Sequence, residues 1–177
     1  MISDLGAYLN WFEGVHRRTV RDISVLPFEA ETWTPPTGSG EEAWGVPRIV
    51  QHLAEGRLYF AGAFAGRGWV WDPWPEMLGP RDGWAPALDR AMTEFRAQVE
   101  AAGPDRLAAK IELIGNGGVK VSGWRALMMN AEHEIAHRAQ IGAYAGLNGW
   151  PVVQIFDRTN EWVRAQRDEQ RRRRESR

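Results

Sequence analysis

The sequence predicts an all-α fold, a four-helix bundle with a long crossover connection between the second and third helices. Apolar residues recur at helical spacing in four segments, and stretches rich in Pro and Gly separate these segments. Hydrophobic residues make up 44% of the 177-residue chain, and a chain of this length buries roughly 70% of its unfolded surface. We therefore expect one bundle over residues 1–155, followed by a polar, Arg-rich helix or tail over residues 156–177.

The first helix is predicted to run from Ser3, its expected N-cap, to the residues just before Pro27. Residues 32–45 contain adjacent prolines and several glycines, which indicates a loop. A second helix is expected to begin near Pro47, because proline suits the first helical turn, and to continue through Phe60.

The crossover is predicted over residues 65–85, which are too rich in Gly and Pro for a helix. Four of the ten tryptophans lie in this stretch, namely Trp69, Trp71, Trp74 and Trp84. We expect them to cover the bundle or a subunit interface. A third helix fits residues 86–102, and the alternating residues 107–121 indicate a possible short β-hairpin.

The fourth helix is predicted from about Ser122 to Leu147, with Gly149 closing it. Its residues His133 and His137 are four positions apart and therefore lie on one face. That face is otherwise mostly apolar, so both imidazoles are expected to point inward. A buried polar group without a partner costs about 1–3 kcal/mol, and a shared metal ion or ordinary core hydrogen bonds would satisfy both rings.

A third histidine, His52, lies near the start of the predicted second helix. The chain has no Cys, so disulfides and thiolate ligands are excluded, and any metal must bind His, Asp or Glu. Three imidazoles leave coordination positions open and favour a divalent ion such as zinc or nickel. Gln140 and Tyr144 lie on the same face of the fourth helix and are expected either to line the pocket or to pack.

Glu134 has two possible structural roles. It could be a satisfied carboxylate near the site, for example one paired with Arg138, or it could accept a hydrogen bond from an imidazole N–H beside the metal. It also completes the pattern His133-Glu-x-x-His137 of zinc proteases, in which the glutamate is the general base. The longer metzincin motif is missing, because Gln140 occupies the position of its glycine.

A di-iron bundle is a further alternative, because two Glu-x-x-His patterns occur in the chain. Its ligand set would consist of Glu13, His16, Glu55, Glu94, Glu134 and His137. This interpretation leaves His52 and His133 without a role, so we favour the three-histidine site. His16 is instead expected to be a partly exposed helix residue.

Two sequence motifs resemble those of the DinB family. The stretch from His133 to Ile141, with the ending Leu147-Asn-Gly-Trp-Pro151, resembles its second metal motif and C-terminal cap, and Ile49-Val-Gln-His52-Leu53 resembles its first. The loop Trp33-Thr-Pro35 is also similar, so the resemblance covers about residues 1–155. It implies a four-helix bundle, a three-histidine metal site, a homodimer, and metal-dependent use of low-molecular-weight thiols as in characterised relatives.

A metal held by three neutral ligands keeps its charge and lowers the pKa of bound water or thiol. We therefore expect transfer of an external thiol onto a small-molecule electrophile, or hydrolysis by a metal-bound hydroxide. The alternative is a non-catalytic metal-binding or stress-response protein.

The partners expected from composition are few. The net charge of −1 shows no bias toward nucleic acid, and the Arg171–Arg174 run is expected to be solvated rather than to bind DNA. No segment is apolar enough to span a membrane and the N-terminus does not resemble a signal peptide, so we expect a cytoplasmic protein.

Overall fold

The computed structural model describes residues 2–71, 79–114, 117–151 and 158–175. Its helices and strands are, in order, α1 (Leu5–Ser24), α2 (Val46–Ala65), α3 (Trp84–Ala102), β1 (Lys110–Glu112), β2 (Lys120–Ser122), α4 (Gly123–Asn148) and α5 (Asn160–Glu175). The helices α1 and α2 each pack against both α3 and α4, so they occupy opposite corners of a four-helix bundle. The predicted all-α fold is confirmed.

The core of the bundle contains two large apolar clusters. One surrounds Trp84, Leu53 and Ile141, and the other surrounds Phe12, Phe95 and Leu127. Trp84 was expected in the crossover, but it lies in the first turn of α3 and is fully buried. The helix begins before Pro86 because proline is accepted in the first turn, where no backbone N–H is required.

Most helix ends differ from the predictions by one or two residues, whereas α2 continues beyond the predicted Phe60 to Ala65. Asp4 rather than Ser3 caps α1, since its Oδ1 accepts a hydrogen bond of 2.9 Å from the Ala7 N–H. A negatively charged carboxylate at this position also interacts favourably with the positive end of the helix dipole. The predicted end of α4 is confirmed, because Gly149 adopts a left-handed conformation with φ of 67°.

The predicted hairpin is confirmed as the antiparallel pair β1 and β2, in which Ile111 faces Val121. The chain then enters α4 through Gly123, where a Cβ atom would lie 1.9 Å from the carbonyl oxygen of Arg106. Only glycine permits this close approach of two backbone segments. The hairpin is thereby held against the N-terminal end of α4.

The C-terminal Arg-rich segment forms helix α5, whose described side chains are almost all exposed. Its arginines pair within the helix, for example Arg171 with Glu175 and Arg173 with Glu169. This agrees with the expectation of a solvated basic segment. Within the described ranges, no helix combines the length and the apolar character that crossing a membrane requires.

Candidate metal centre

Three imidazoles from two distant parts of the chain meet inside the bundle. His52 lies on α2, and His133 and His137 lie one turn apart on α4. One ring nitrogen from each histidine lies within 4.8 Å of the other two, and the Nε2 atoms of His52 and His133 are 2.8 Å apart. Two nitrogens bound to a tetrahedral zinc ion are about 3.4 Å apart. Ring movements of about 1 Å would therefore bring all three nitrogens onto one ion.

Two tryptophans enclose the ring of His52. Trp71 stacks on it with ring centroids 4.9 Å apart and planes inclined by 25°, and Trp44 meets it edge-on, also at 4.9 Å. The ring of Trp44 also lies nearly parallel to that of His137, at 6.4 Å. Indole rings in these positions keep water from one side of the histidine cluster.

The expected covering role of the crossover tryptophans can be checked for two of them. Trp69 packs against Tyr59 and Phe60 on α2, and Trp71 covers His52. Trp74 lies outside the described residues. The crossover thus covers both the helix surface and the histidine cluster.

The surroundings keep two of the three imidazoles neutral. Burial, together with the charges of the neighbouring histidines and of Arg48, lowers the pKa of His52 to about 3. Burial and the neighbouring His137 lower the pKa of His133 to about 4. A neutral imidazole offers its lone pair to a metal, so protons do not compete for these two rings at neutral pH.

These pKa values predict that the metal-free protein loses stability in mild acid. A histidine in the unfolded chain takes up a proton near pH 6.5, whereas His133 and His52 in the folded chain stay neutral down to about pH 4 and about pH 3. In the interval between, the unfolded state binds more protons, so the free energy of unfolding falls as the pH is lowered. Urea unfolding at pH 7, 6 and 5 in a chelator measures this, and His133→Asn should give a shallower pH dependence. An unchanged dependence in that variant would contradict the prediction.

A chain of hydrogen bonds determines which nitrogen of His137 carries the proton. The Tyr144 hydroxyl donates to the backbone carbonyl of Glu42 at 2.9 Å, so its oxygen accepts from Nε2 of Gln140 at 2.7 Å. The same Gln140 amide donates to the carbonyl of Glu41, at 2.7 Å. Its Oε1 therefore accepts from Nδ1 of His137, at 2.9 Å.

In the neutral form of His137, a proton on Nδ1 leaves the lone pair on Nε2 available to a metal ion. Metal-binding histidines generally donate their second N–H to an acceptor in this way. The residues present therefore fit a divalent metal ion. Gln140 and Tyr144 line the pocket beside the histidines, one of the two roles expected for them.

Comparisons with known proteins bear on the family and the fold of the chain. The model of the DinB family matches residues 1–172. The chain belongs to the DinB family. Among solved structures, a DinB-like protein from Bacillus cereus is similar with a TM-score of 0.68 and 16% identity, over 88% of this chain and 99% of the other. A DinB-like protein from Bacillus subtilis is similar with a TM-score of 0.63 and 18% identity, over 84% and 97% of the two chains. At these identities the likeness concerns the fold, and no curated protein matches the chain.

Glu134 of this DinB chain does not take part in the histidine cluster. It is 1% exposed and receives two hydrogen bonds from Arg57, at 2.9 and 2.6 Å, and one from Thr19 at 2.8 Å. Burial alone would raise the pKa of Glu134, but the charge and hydrogen bonds of Arg57 hold it below its usual value. Glu134 is thus a satisfied carboxylate, as one of the two expected roles required, but its partners are Arg57 and Thr19 rather than Arg138 or an imidazole.

The same contacts argue against the zinc protease interpretation. A general base needs a carboxylate that reaches a metal-bound water, whereas both oxygens of Glu134 are occupied by Arg57 and Thr19 in the core. The helix turns His133 and Glu134 to different surroundings because adjacent residues are 100° apart.

The di-iron ligand set is not brought together either. Among the described residues, the three histidines are the one group of three or more His, Asp or Glu side chains whose ligand atoms all lie within 4.8 Å of one another. His16 is also more buried than expected, at 5% exposure, and its Nε2 lies 2.9 Å from the carboxylate of Asp89 on α3. The packing of α1 against α3 explains its burial.

The sequence-based predictions missed a carboxylate, Glu41, beside the histidines. It lies in a short 3-10 helix, Gly40–Ala43, within the segment predicted as a loop. Its Oε1 atom is 3.9 Å from Nε2 of His52, and its Oε2 atom is 3.8 Å from Nε2 of His137. No spacing in the sequence links residue 41 to either histidine. A pocket of about 400 Å³ opens here, lined by Glu41, Glu42, His133, Ala136, His137, Gln140 and Tyr144.

Proposed function

We propose that this DinB protein is a metal-dependent enzyme that activates a low-molecular-weight thiol or water against a small electrophile. His52, His133 and His137 would hold one divalent ion, zinc or nickel. The observation that supports the proposal is the convergence of three ring nitrogens beside an open pocket. A closed structural site would instead surround the ion with protein ligands on every side.

When bound, the ion would supply the charge that lowers the pKa of a thiol or water to near neutrality. The residues around the ion would orient its ligands and limit the access of water to the site. Gln140 fixes the orientation of His137, and Trp44 and Trp71 limit the access of water to His52. Because the chain has no Cys, the attacking sulfur must come from a cosubstrate.

The pocket has room for a small substrate. Its volume of about 400 Å³ lies within the range for small-molecule sites, roughly 300–1,000 Å³. This is consistent with a small electrophile and a small thiol at the site. A homodimer and a cytoplasmic location, as implied by the family resemblance and by composition, belong to the same proposal.

The test compares two histidine substitutions. The chain has four histidines, so His16→Gln is a matched control outside the cluster for His52→Ala. Zinc- or nickel-loaded protein is incubated with several biological thiols and a chromogenic electrophile. We expect turnover with the wild type and His16→Gln, and the background rate of chelator-treated protein with His52→Ala.

Elemental analysis accompanies the assay and should give one ion per chain. Turnover that is equal in the wild type and in His52→Ala would contradict metal-dependent catalysis. One bound ion without turnover on any thiol or in water would favour a non-catalytic metal-binding protein. Two irons per chain would contradict the mononuclear site itself.

A further inference from the structure

We propose that Glu41 is a fourth, displaceable protein ligand of the ion at the three-histidine site. The inference rests on the proposed metal site and adds an anionic oxygen to its three neutral nitrogens. Glu41 would occupy a coordination position on the pocket side until a substrate thiol or water takes that position.

The distances support a shared ion rather than direct contact. The Oε1 atom of Glu41 lies 3.9 Å from Nε2 of His52, and its Oε2 atom lies 3.8 Å from Nε2 of His137. These separations exceed the roughly 3.2 Å of an N–H···O hydrogen bond. They are about 0.5 Å longer than the roughly 3.4 Å between two ligand atoms of a tetrahedral zinc ion. A small movement of the exposed Glu41 side chain would therefore place one of its oxygens on the same ion as His52 and His137.

The backbone around Glu41 is held in place by the helix that carries two of the histidines. Gln140 donates to the carbonyl of Glu41 and the Tyr144 hydroxyl donates to that of Glu42, at 2.7 and 2.9 Å. Trp44, just beyond the 3-10 helix, packs against His52 and His137. The 3-10 helix is therefore tied to the site through Glu41 itself and through residues that follow it.

The side chain of Glu41 is much more exposed than those of the histidines. It is 59% exposed, whereas those of His52 and His137 are at most 10% exposed. An exposed carboxylate that leaves the ion is solvated by water, and a thiolate or hydroxide competes for the same positive charge. Displacement of Glu41 by substrate therefore costs less than displacement of a buried histidine.

Cobalt(II) titration tests the inference with the full-length protein. The visible absorption of the bound ion reports on the number and type of its ligands, and competition with a chelator gives the affinity. We expect Glu41→Gln to weaken binding about tenfold to a hundredfold and to change the spectrum. Glu42→Gln removes the same charge from the same 3-10 helix. It should leave the affinity for cobalt and the absorption spectrum close to those of the wild type. Thermal unfolding should be similar for all three proteins, because both side chains are exposed.

Two results would overturn the inference while leaving the metal site intact. The first is an unchanged affinity and spectrum in Glu41→Gln. The second is an equal loss of affinity in both variants with unchanged spectra, which would mean that the carboxylate acts only through long-range charge. Failure of the wild-type protein to bind cobalt would instead contradict the proposed metal site, and the inference with it.

Discussion

Replacing Arg57 by methionine is expected to lower the free energy of unfolding by about 3–5 kcal/mol. The Arg57 side chain is 0% exposed and its guanidinium donates to both oxygens of Glu134 and to the carbonyl of Leu88. Methionine has similar length but no charge, so the variant leaves the carboxylate of Glu134 in the core with Thr19 as its remaining donor. An uncompensated buried charge is the main reason for the loss.

Urea unfolding at neutral pH measures this effect. The double variant Arg57→Met/Glu134→Leu removes both charges and should recover most of the lost stability. Arg125→Met breaks an exposed pair with Glu132, whose atoms are 2.8 Å apart, and should change stability by about 1 kcal/mol or less. A loss in Arg57→Met no larger than in Arg125→Met would contradict the proposed role of the buried pair.

The second large effect is expected for metal binding in Gly56→Ala. Gly56 lies on α2 beneath His133, and a Cβ atom there would be 2.9 Å from Cε1 of the imidazole. The ring can move aside at little cost in stability, because it is the end of a flexible side chain. The displacement would separate His133 from His52, and we expect metal affinity to fall about tenfold to a hundredfold.

The matched control for this substitution is Gly62→Ala on the same helix. A Cβ atom at Gly62 would meet its nearest neighbour, the carbonyl oxygen of Gly68, at an ordinary 3.6 Å. Metal titration and thermal unfolding of both variants separate an effect on metal affinity from an effect on folding stability. Gly62→Ala should bind metal like the wild type, and equal affinities in the two variants would show that Gly56 has no special role.

The helices could be predicted from the sequence because their signals are local. Helical spacing of apolar residues and the glycine at position 149 depend on neighbours within a turn or two. The errors arose where adjacent residues offered similar signals. Ser3 and Asp4 are both residue types that cap helices well. Asp4 is the cap because its side chain accepts the hydrogen bond from the Ala7 N–H, which depends on the packed position of the helix.

Two of the three histidines of the cluster could be predicted by the same local reasoning. His133 and His137 lie one turn apart, whereas the addition of His52 depended on its place in the second helix and on the resemblance to a family motif. The contacts of Glu134 could not be predicted, because Arg57 is 77 positions away in the chain. Glu41 lies in a segment without periodicity, where no sequence pattern indicates which side chain approaches the metal site.

The buried guanidinium of Arg57 also bears on which arrangements of the helices are allowed. Arg57 on α2 donates to Glu134 on α4 and to the carbonyl of Leu88 on α3. Glu134 also accepts from Thr19 on α1, so the cluster connects all four helices of the bundle. If one helix slid along its neighbours by a turn, apolar contacts would largely be replaced by similar ones, but this charge would lose its partners. We therefore expect the polar cluster to discriminate against misaligned packings, and so to keep the imidazoles of α2 and α4 level with one another.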